Sequence, residues 1–513
     1  MTDSNLVLTF DIGTQSTRAL LVKSDGTFKD TVQIKYEEPY FSKAPNQAEQ
    51  HPDFYFENLC KAGKEITGRN SDCLKNIIAV TITTIRDSTL CLDKDMKPLR
   101  DIILWLDKRE ATFRGFDPIR TAAFKLVGMY DTGEMQFKAS VCNWIAEHEP
   151  DIWEKTDKFV MLPAYLNYKL TGKLIDSVAN IIGHVPFDSK KGCWMKEGSL
   201  TRCVYDIPKE KLCELCKPGE TVGYITEDAC KKSGIPKGLP LIATGSDKGC
   251  ETLGLSVIHK GKAALSFGTT ATIQITSDEY IEPQQFMPAY PAIISGKFNP
   301  EIQIFSGYWM LSWFIREFGH EERYIAEYQD CSPEDILNGH LKDVPPGCDS
   351  LILQPYWTPG ITIPNAKGSV IGWSYIHSKY HLYRAIIEGV GFGLYEAMQN
   401  IEKRSKVPIT ELYIGGGGSQ SDEISQITAD MFGLPVKRIQ THEACGLGSS
   451  IVAFVAMGTF KTYDEALESM VYVKDIFYPD KKTHEIYENI YNTIYKKIYR
   501  RLNPIFNKMK KMT

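Results

Sequence analysis

The chain has 513 residues, 43% hydrophobic and 24% charged, enough for two or three domain cores. A net charge of −5 and an isoelectric point near 6.1 exclude a general attraction to nucleic acid. The N-terminus MTDSNLVLTFDIG lacks a basic region followed by a long apolar run, and no uninterrupted apolar run could cross a bilayer, so a cytoplasmic setting without membrane partners is expected.

The first strong signal is Leu8–Val22, LTFDIGTQSTRALLV. An apolar strand ends in Asp11, turns through Gly13-Thr14, and resumes after Arg18 as a second apolar strand leading to the hairpin signal Ser24-Asp25-Gly26. Glycine lets backbone N–H groups approach anionic oxygens, and Thr14, Gln15, Ser16 and Thr17 add side-chain donors. The turn therefore reads as a phosphate cradle, with Asp11 holding Mg²⁺ through water. Taken alone, an ordinary hairpin with a polar turn reads as well; recurrence of the pattern favours phosphate.

Tyr36–Glu49 is polar and proline-interrupted, Pro52–Ile66 carries a helical pattern, and Ile77–Thr83 is a buried strand ending in Thr84-Ile85-Arg86-Asp87. Arg86 and Asp87 are either a solvated ion pair or a polyol site, since Arg donates and Asp accepts hydrogen bonds from hydroxyls. Leu90–Asp93, a turn at Lys94–Pro98 and Ile102–Leu106 follow, closing on Asp107 and Arg109. Residues 120–170 are mainly helical with Trp144 and Trp153 in the core, and Asp176 and Asn180 line a cleft or cap turns. Cys213 and Cys216 form one CxxC with no second pair at zinc-ribbon spacing, and the odd, scattered set of thirteen cysteines is not a disulfide framework; reduced thiols are expected.

Leu239–Thr244 is a strand running into Gly245-Ser246-Asp247-Lys248-Gly249. Asp247 is either a helix N-cap or a general base that takes the proton from a hydroxyl attacking phosphorus. Its place between two phosphate turns favours the base, because at 263–275 the pattern returns as AALSFGTTATIQI, with Gly268, Thr269 and Thr270 at the bend. Two hairpins of one design suggest duplicated domains clasping a polyphosphate. Phe267 stands where an acid would match Asp11, so the metal belongs to the first half.

Trp309–Phe318 and Glu322–Tyr328 read as helices, Leu351–Gln354 as a strand before the loop Pro355–Gly368, and His381–Gln399 as a helix containing Glu388. Leu412–Ile414 feeds the glycines Gly415–Gly418, and Ser419-Gln420-Ser421-Asp422 opens the helix Glu423–Phe432. A glycine run between strand and helix start suits a nucleotide lying against bare backbone. Glu443–Gly448 is a second small-residue turn, read as close helix packing. At the end, Tyr487, Ile490, Tyr491, Ile494, Tyr495, Ile498, Tyr499 and Leu502 share one helical stripe. A docked helix is expected over a membrane-surface one, with the final KMKKMT frayed.

In this order, DIGTQSTR at 11–18, LRDIILWLDKR at 99–109, LNYKLTG at 166–172, GSDKGCETLG at 245–254, LSFGTTATI at 265–273, RAIIEGVGF at 384–392, GGGGSQSDEISQITADMFGLPV at 415–436 and EACGLGSS at 443–450 resemble the FGGY family of carbohydrate kinases over nearly the whole chain. The resemblance implies an α/β architecture: two ribonuclease-H-like domains of the actin-like ATPase type, each a mixed sheet flanked by helices, with the active site between them. It implies domains at 1–254, carrying sugar, phosphate and metal contacts, and 255–513, carrying the nucleotide. It also implies ATP and Mg²⁺, and transfer of the γ-phosphoryl to a small sugar or polyol.

Carried onto matching positions, Asp11, Gly13 and Thr14 belong to the phosphate and metal site, with Gln15 and Arg18 beside them on the ATP. Asp247 is the base and a second metal contact, Gly268 and Thr269 meet the phosphates, and Gly416, Gly417 and Ser419 meet the nucleotide. Arg86, Asp87 and Asp247 form the substrate set. Arg86-Asp87 matches an Arg-Glu pair of glycerol kinases, where xylulokinases carry Met-His, while the turns at 247 and 268 and the glycine run are more similar to xylulokinases. Val141 stands three residues before Trp144, where many members carry Lys or Arg; the nearest lysine is Lys138. The expected acceptor is a pentulose such as xylulose, with a glycerol- or erythritol-type polyol as the alternative. A non-catalytic sugar and nucleotide switch is the alternative of another class. A homodimer stays open.

Overall fold

The two glycine-threonine hairpins each begin a six-stranded sheet. In the computed structural model, which describes residues 5–358, 360, 363–510 and 512, the first sheet contains β1 (Leu6–Ile12), β2 (Ser16–Lys23), β3 (Phe28–Lys35), β4 (Ile77–Thr84), β5 (Thr221–Tyr224) and β6 (Pro240–Ile242). The second contains β7 (Lys262–Phe267), β8 (Ala271–Gln274), β9 (Glu301–Ile304), β10 (Glu411–Gly415), β11 (Val436–Ile439) and β12 (Val473–Phe477). Their orders are β3-β2-β1-β4-β6-β5 and β9-β8-β7-β10-β11-β12. Both have three antiparallel strands, two parallel neighbours and an antiparallel edge. The edge strand precedes its neighbour in the first half and follows it in the second.

All seven residues of β1 are buried, because this strand lies inside the sheet with layers on both faces. One face packs on α1 (Phe54–Arg69), which contributes Tyr55, Leu59, Ala62 and Ile66. The other faces a core shared by the two halves, built on α2 (Asp247–Gly254) and, later in the chain, a helix at Ala444–Ala456. The second sheet packs against α3 (Lys379–Ser405) and α4 (Asp422–Phe432), and α5 is that helix at Ala444–Ala456.

Helices α2 and α5 cross with backbones in contact. A Cβ on Gly448 would lie 1.9 Å from the Cys250 carbonyl oxygen, and one on Gly254 would lie 2.0 Å from the Ala444 oxygen. The expectation of close packing at Glu443–Gly448 is met there. Ser450 of α5 then shares a 2.8 Å hydroxyl hydrogen bond with Thr9 of β1, and Ser449 donates to Thr81 of β4 at 2.9 Å.

The tyrosine stripe docks on the second half rather than presenting a membrane face. Tyr487 donates to Glu388 at 2.8 Å, Tyr495 donates to the Gly389 carbonyl at 3.2 Å, and Tyr491 and Ile498 are buried with them. Ile494 departs from the stripe and is exposed. Helix Lys496–Lys510 is continuous through Lys508–Lys510, correcting the frayed end there; residues 511 and 513 lie outside the described set, as do residues 1–4 and 359, 361 and 362 of the loop Pro355–Gly368. Residues 118–171 are helical apart from short connections and the strand Lys158–Met161. Trp144 and Trp153 are half-buried rather than core, with Arg109 4.4 Å above the Trp144 ring. Lys138 pairs on the surface with Glu134. Among the described residues, no helix is long and apolar enough to cross a membrane.

Candidate active site

The first hairpin closes tightly. Gly13 N–H donates to the Ser16 carbonyl at 3.0 Å, and Trp105 Nε1 donates to Thr14 Oγ1 at 3.2 Å, while Gln15 is exposed. Asp11 stands at the end of β1, nearly buried, opposite Arg18 in the strand register. Arg18 lies 3.8 Å from Asp11 and places Nε 3.0 Å from Glu443, which belongs to the turn before α5.

Burial pushes the Asp11 carboxyl up to about 7; Arg18 opposes this, and Glu443, Asp247 and Glu251 reinforce it. Five carboxylates, Asp11, Asp247, Glu251, Glu301 and Glu443, thus converge with three cations, Arg18, Lys248 and Arg86, leaving two negative charges in excess when all are ionised. That balance suits one divalent cation. Mg²⁺ takes one or two carboxylates and fills its other positions with water and phosphate oxygens. Asp11 and Asp247 fit that donor set, and among the described residues no group of three or more His, Cys, Asp or Glu side chains forms a closed metal cage.

Asp247 is not the N-cap of α2. Ser246 takes that duty, its hydroxyl accepting from Gly249 N–H, and Asp247 occupies the first helical position with its side chain partly exposed. The neighbouring Lys248 points toward the second hairpin. Its ammonium donates to Glu251 at 2.9 Å and to the Ser266 hydroxyl, and lies 3.8 Å from where a Cβ on Gly268 would stand. Burial weighs against that charge, but Glu251 and Asp247 outweigh it and hold the pKa above the ordinary lysine value. Gly268 and Thr269 carbonyls accept from Tyr308 and Trp309 N–H groups, so the turn is held from behind while Thr269 stays exposed.

Arg86 and Asp87 do not pair with each other. Arg86 NH1 and NH2 donate to Glu301 at 3.1 and 3.0 Å, and its Nε lies 3.6 Å from Asp247 Oδ1. Asp87 binds His184, whose Nδ1 is 2.8 Å away and whose N–H donates at 3.2 Å. Burial opposes the charge of both members, yet their mutual attraction wins, lowering the Asp87 pKa and raising that of His184. The reading as a solvated ion pair is therefore corrected, since each is held by a protein partner, Arg86 beside Asp247 and Asp87 at His184. Asp176 and Asn180 lie outside this cluster. Asp176 is fully buried, accepts from Ser177 N–H and the Asn180 amide, and is pushed up to about 7 by burial. It organises its own turn.

In the glycine run, Gly416 adopts φ +79°, and a Cβ there would meet the Phe267 backbone at 2.9 Å, so only glycine lets β10 end this close to the second hairpin. Gly417 faces open space. Ser419 turns inward, buried, its hydroxyl donating to the Gly416 carbonyl at 2.7 Å. It shapes the turn. Sequence reasoning overlooked Trp105, Lys248, Glu251, His184 and Glu301. Lys248 and Glu251 lie inside GSDKGCETLG, and Trp105 inside LRDIILWLDKR, so their motifs held a signal. Nothing local marks Glu301.

The descriptions of the FGGY family of carbohydrate kinases match this chain twice, the N-terminal domain over residues 6–254 and the C-terminal domain over residues 263–457. An uncharacterized sugar kinase, YgcE, of Escherichia coli K12 is 28% identical over 487 residues, covering 94% of this chain and 91% of its own. A xylulose kinase of Staphylococcus epidermidis is 27% identical, covering 94% of each chain. Among solved structures, a ligand-bound xylulose kinase from Lactobacillus acidophilus superposes with a TM-score of 0.81 at 23% identity, covering 98% of this chain and 100% of its own. That likeness gives the fold, which is the actin-like ATPase fold with two mixed-sheet domains.

Proposed function

The chain belongs to the FGGY family of carbohydrate kinases, and we propose that it transfers the γ-phosphoryl group of ATP to a hydroxyl of a small ketose, a pentulose such as xylulose above all. The observation that carries this reading is the placement of Asp247, relieved of capping by Ser246 and set between the two glycine-threonine hairpins. Two relatives named xylulose kinase support the acceptor class.

In this reading, residues 1–254 carry the acceptor and metal contacts and 255–513 the nucleotide. Asp247 accepts the proton of the attacking hydroxyl as the oxygen approaches phosphorus in line. Backbone N–H groups of the turns at Gly13 and Gly268, with the Lys248 ammonium and the Arg18 guanidinium, face the phosphate charge. Asp11 and Asp247 would hold Mg²⁺, which when bound neutralises phosphate charge. Gly416 and Gly417 leave bare backbone for the adenosine. Closure of the cleft keeps water from the acceptor position.

The test is coupled ADP production with ATP and Mg²⁺ across D- and L-pentuloses, pentitols, erythritol, glycerol, hexuloses and gluconate. A single pentulose stimulating ADP release supports the proposal. A polyol responding instead moves the acceptor to the glycerol or erythritol type. ATP binding without sugar-stimulated turnover refutes the kinase and leaves the nucleotide switch.

A further inference from the structure

Arg86 follows β4 in the first half, Asp247 opens α2, and Glu301 begins β9 on the edge of the second sheet. Glu301 is fully buried and takes both terminal nitrogens of Arg86, at 3.1 and 3.0 Å. Its Oε2 also accepts from Gln274 Nε2 at 3.1 Å; Gln274 is its register partner on β8. Gln274 in turn accepts from the Thr252 hydroxyl, and Thr252 lies on α2, the helix that Asp247 opens. The contacts make a closed ring, Asp247 to Arg86 to Glu301 to Gln274 to Thr252, that leaves the first half, enters the second and returns to the same helix.

We propose that Glu301 is a positioning residue for phosphoryl transfer: across the cleft and through Arg86, it sets the Asp247 carboxylate, so the base is oriented only when the halves are together. This rests on the reading of Asp247 as the base. Arg86 is too far from Asp247 for a hydrogen bond through Nε, at 3.6 Å, but near enough to fix the direction of its charge. With Glu301 neutral, Asp247 becomes the counter-ion that remains to Arg86 in this ring. The guanidinium then turns onto it and occupies, as a bidentate donor, the lone pairs that must accept the substrate proton. Glu301 meets the acceptor set only at Arg86, and its other side-chain partner is Gln274.

The experiment uses the full chain with ATP, Mg²⁺ and the panel's best acceptor, comparing wild type, Glu301→Gln, Arg86→Met and the double variant, with melting temperatures to confirm folding. Glu301→Gln is expected to lower kcat by about tenfold or more, with ATP affinity and the KM for the acceptor each within about twofold, since what is lost is the orientation of Asp247 and not binding. In the Arg86→Met background the same substitution costs less than about twofold, because its route is gone. Should Glu301→Gln fold poorly, Glu301→Ala gives the same comparison, since it too removes the counter-charge to Arg86. Equal losses in both backgrounds, or a loss that appears in the acceptor KM rather than in kcat, overturn the proposal. A wild type without sugar-dependent ADP release overturns the kinase reading and this inference with it; an active wild type with additive losses overturns this inference alone.

Discussion

Asp11→Asn should make the metal-free protein more stable while disabling it. Burial and three neighbouring carboxylates raise the Asp11 pKa from 3.8 to about 7, which corresponds to about 4 kcal/mol against its ionised form. That value already contains the opposing attraction of Arg18; exchanging a nearly buried carboxyl for an amide carries its own cost of about 1–3 kcal/mol, so the net gain expected above neutral pH is about 1–3 kcal/mol. In a domain of this size that is a rise in Tm of roughly 2–8 °C. The sign follows from the raised folded-state value: the penalty is absent below 3.8, grows as pH rises, and is complete above about 7. The gap between variant and wild type should therefore widen from pH 5 to pH 8. The assay is thermal melting in chelator across that range, repeated with Mg²⁺ and ATP, which should stabilise the wild type and leave the variant nearly unmoved while its turnover collapses. A variant that melts at or below the wild type at pH 8, or a gap independent of pH, would refute the electrostatic account.

Three further outcomes are expected. Asp247→Asn should retain ATP affinity and lose about 10²-fold or more in kcat, the scale of general-base removal; near-normal turnover would remove Asp247 from the role. Gly448→Ala should lower Tm sharply in a melting scan, because its Cβ would sit 1.9 Å from the Cys250 carbonyl oxygen and neither backbone can yield without parting α2 from α5. Tyr487→Phe removes the hydroxyl that donates to Glu388 and accepts from Arg384, both at 2.8 Å, and should cost about 1–3 kcal/mol in denaturant unfolding with kcat unchanged.

The sheets and their hairpins were legible because their signals are local. Seven buried residues in β1 read as an apolar run, and a glycine-threonine bend followed by another apolar run can only double back. The docked C-terminal helix was legible for the same reason, its tyrosines recurring at helical spacing. Asp11, Asp247 and the glycine run stand out in the sequence, since each sits where a strand ends and periodicity breaks. The partners of the charged groups were not legible. Arg86 and Asp87 are adjacent in sequence and looked like a pair, yet one is held by Glu301 and the other by His184. Both lie in the bend that follows β4, where Asp87 takes a left-handed φ of +48°, and that turn sends the two side chains to different neighbours, which charge pattern alone does not carry.

That misreading bears on how the molecule works. The seam between the halves combines two kinds of contact that respond differently to motion. At α2 and α5, glycines bring backbones together, and contact this close allows rotation about the crossing more readily than separation. Across the cleft, Arg86 to Glu301 and Arg18 to Glu443 are side-chain ion pairs that an opening motion would break. The helix crossing can therefore act as the pivot, and the ion pairs as contacts that exist only near closure. Both guanidiniums also lie within 4 Å of a proposed catalytic or metal-binding carboxylate, Arg86 at 3.6 Å from Asp247 and Arg18 at 3.8 Å from Asp11. Opening would therefore change the charge felt by both carboxylates at once, which couples the readiness of the site to the position of the halves without any long-range relay.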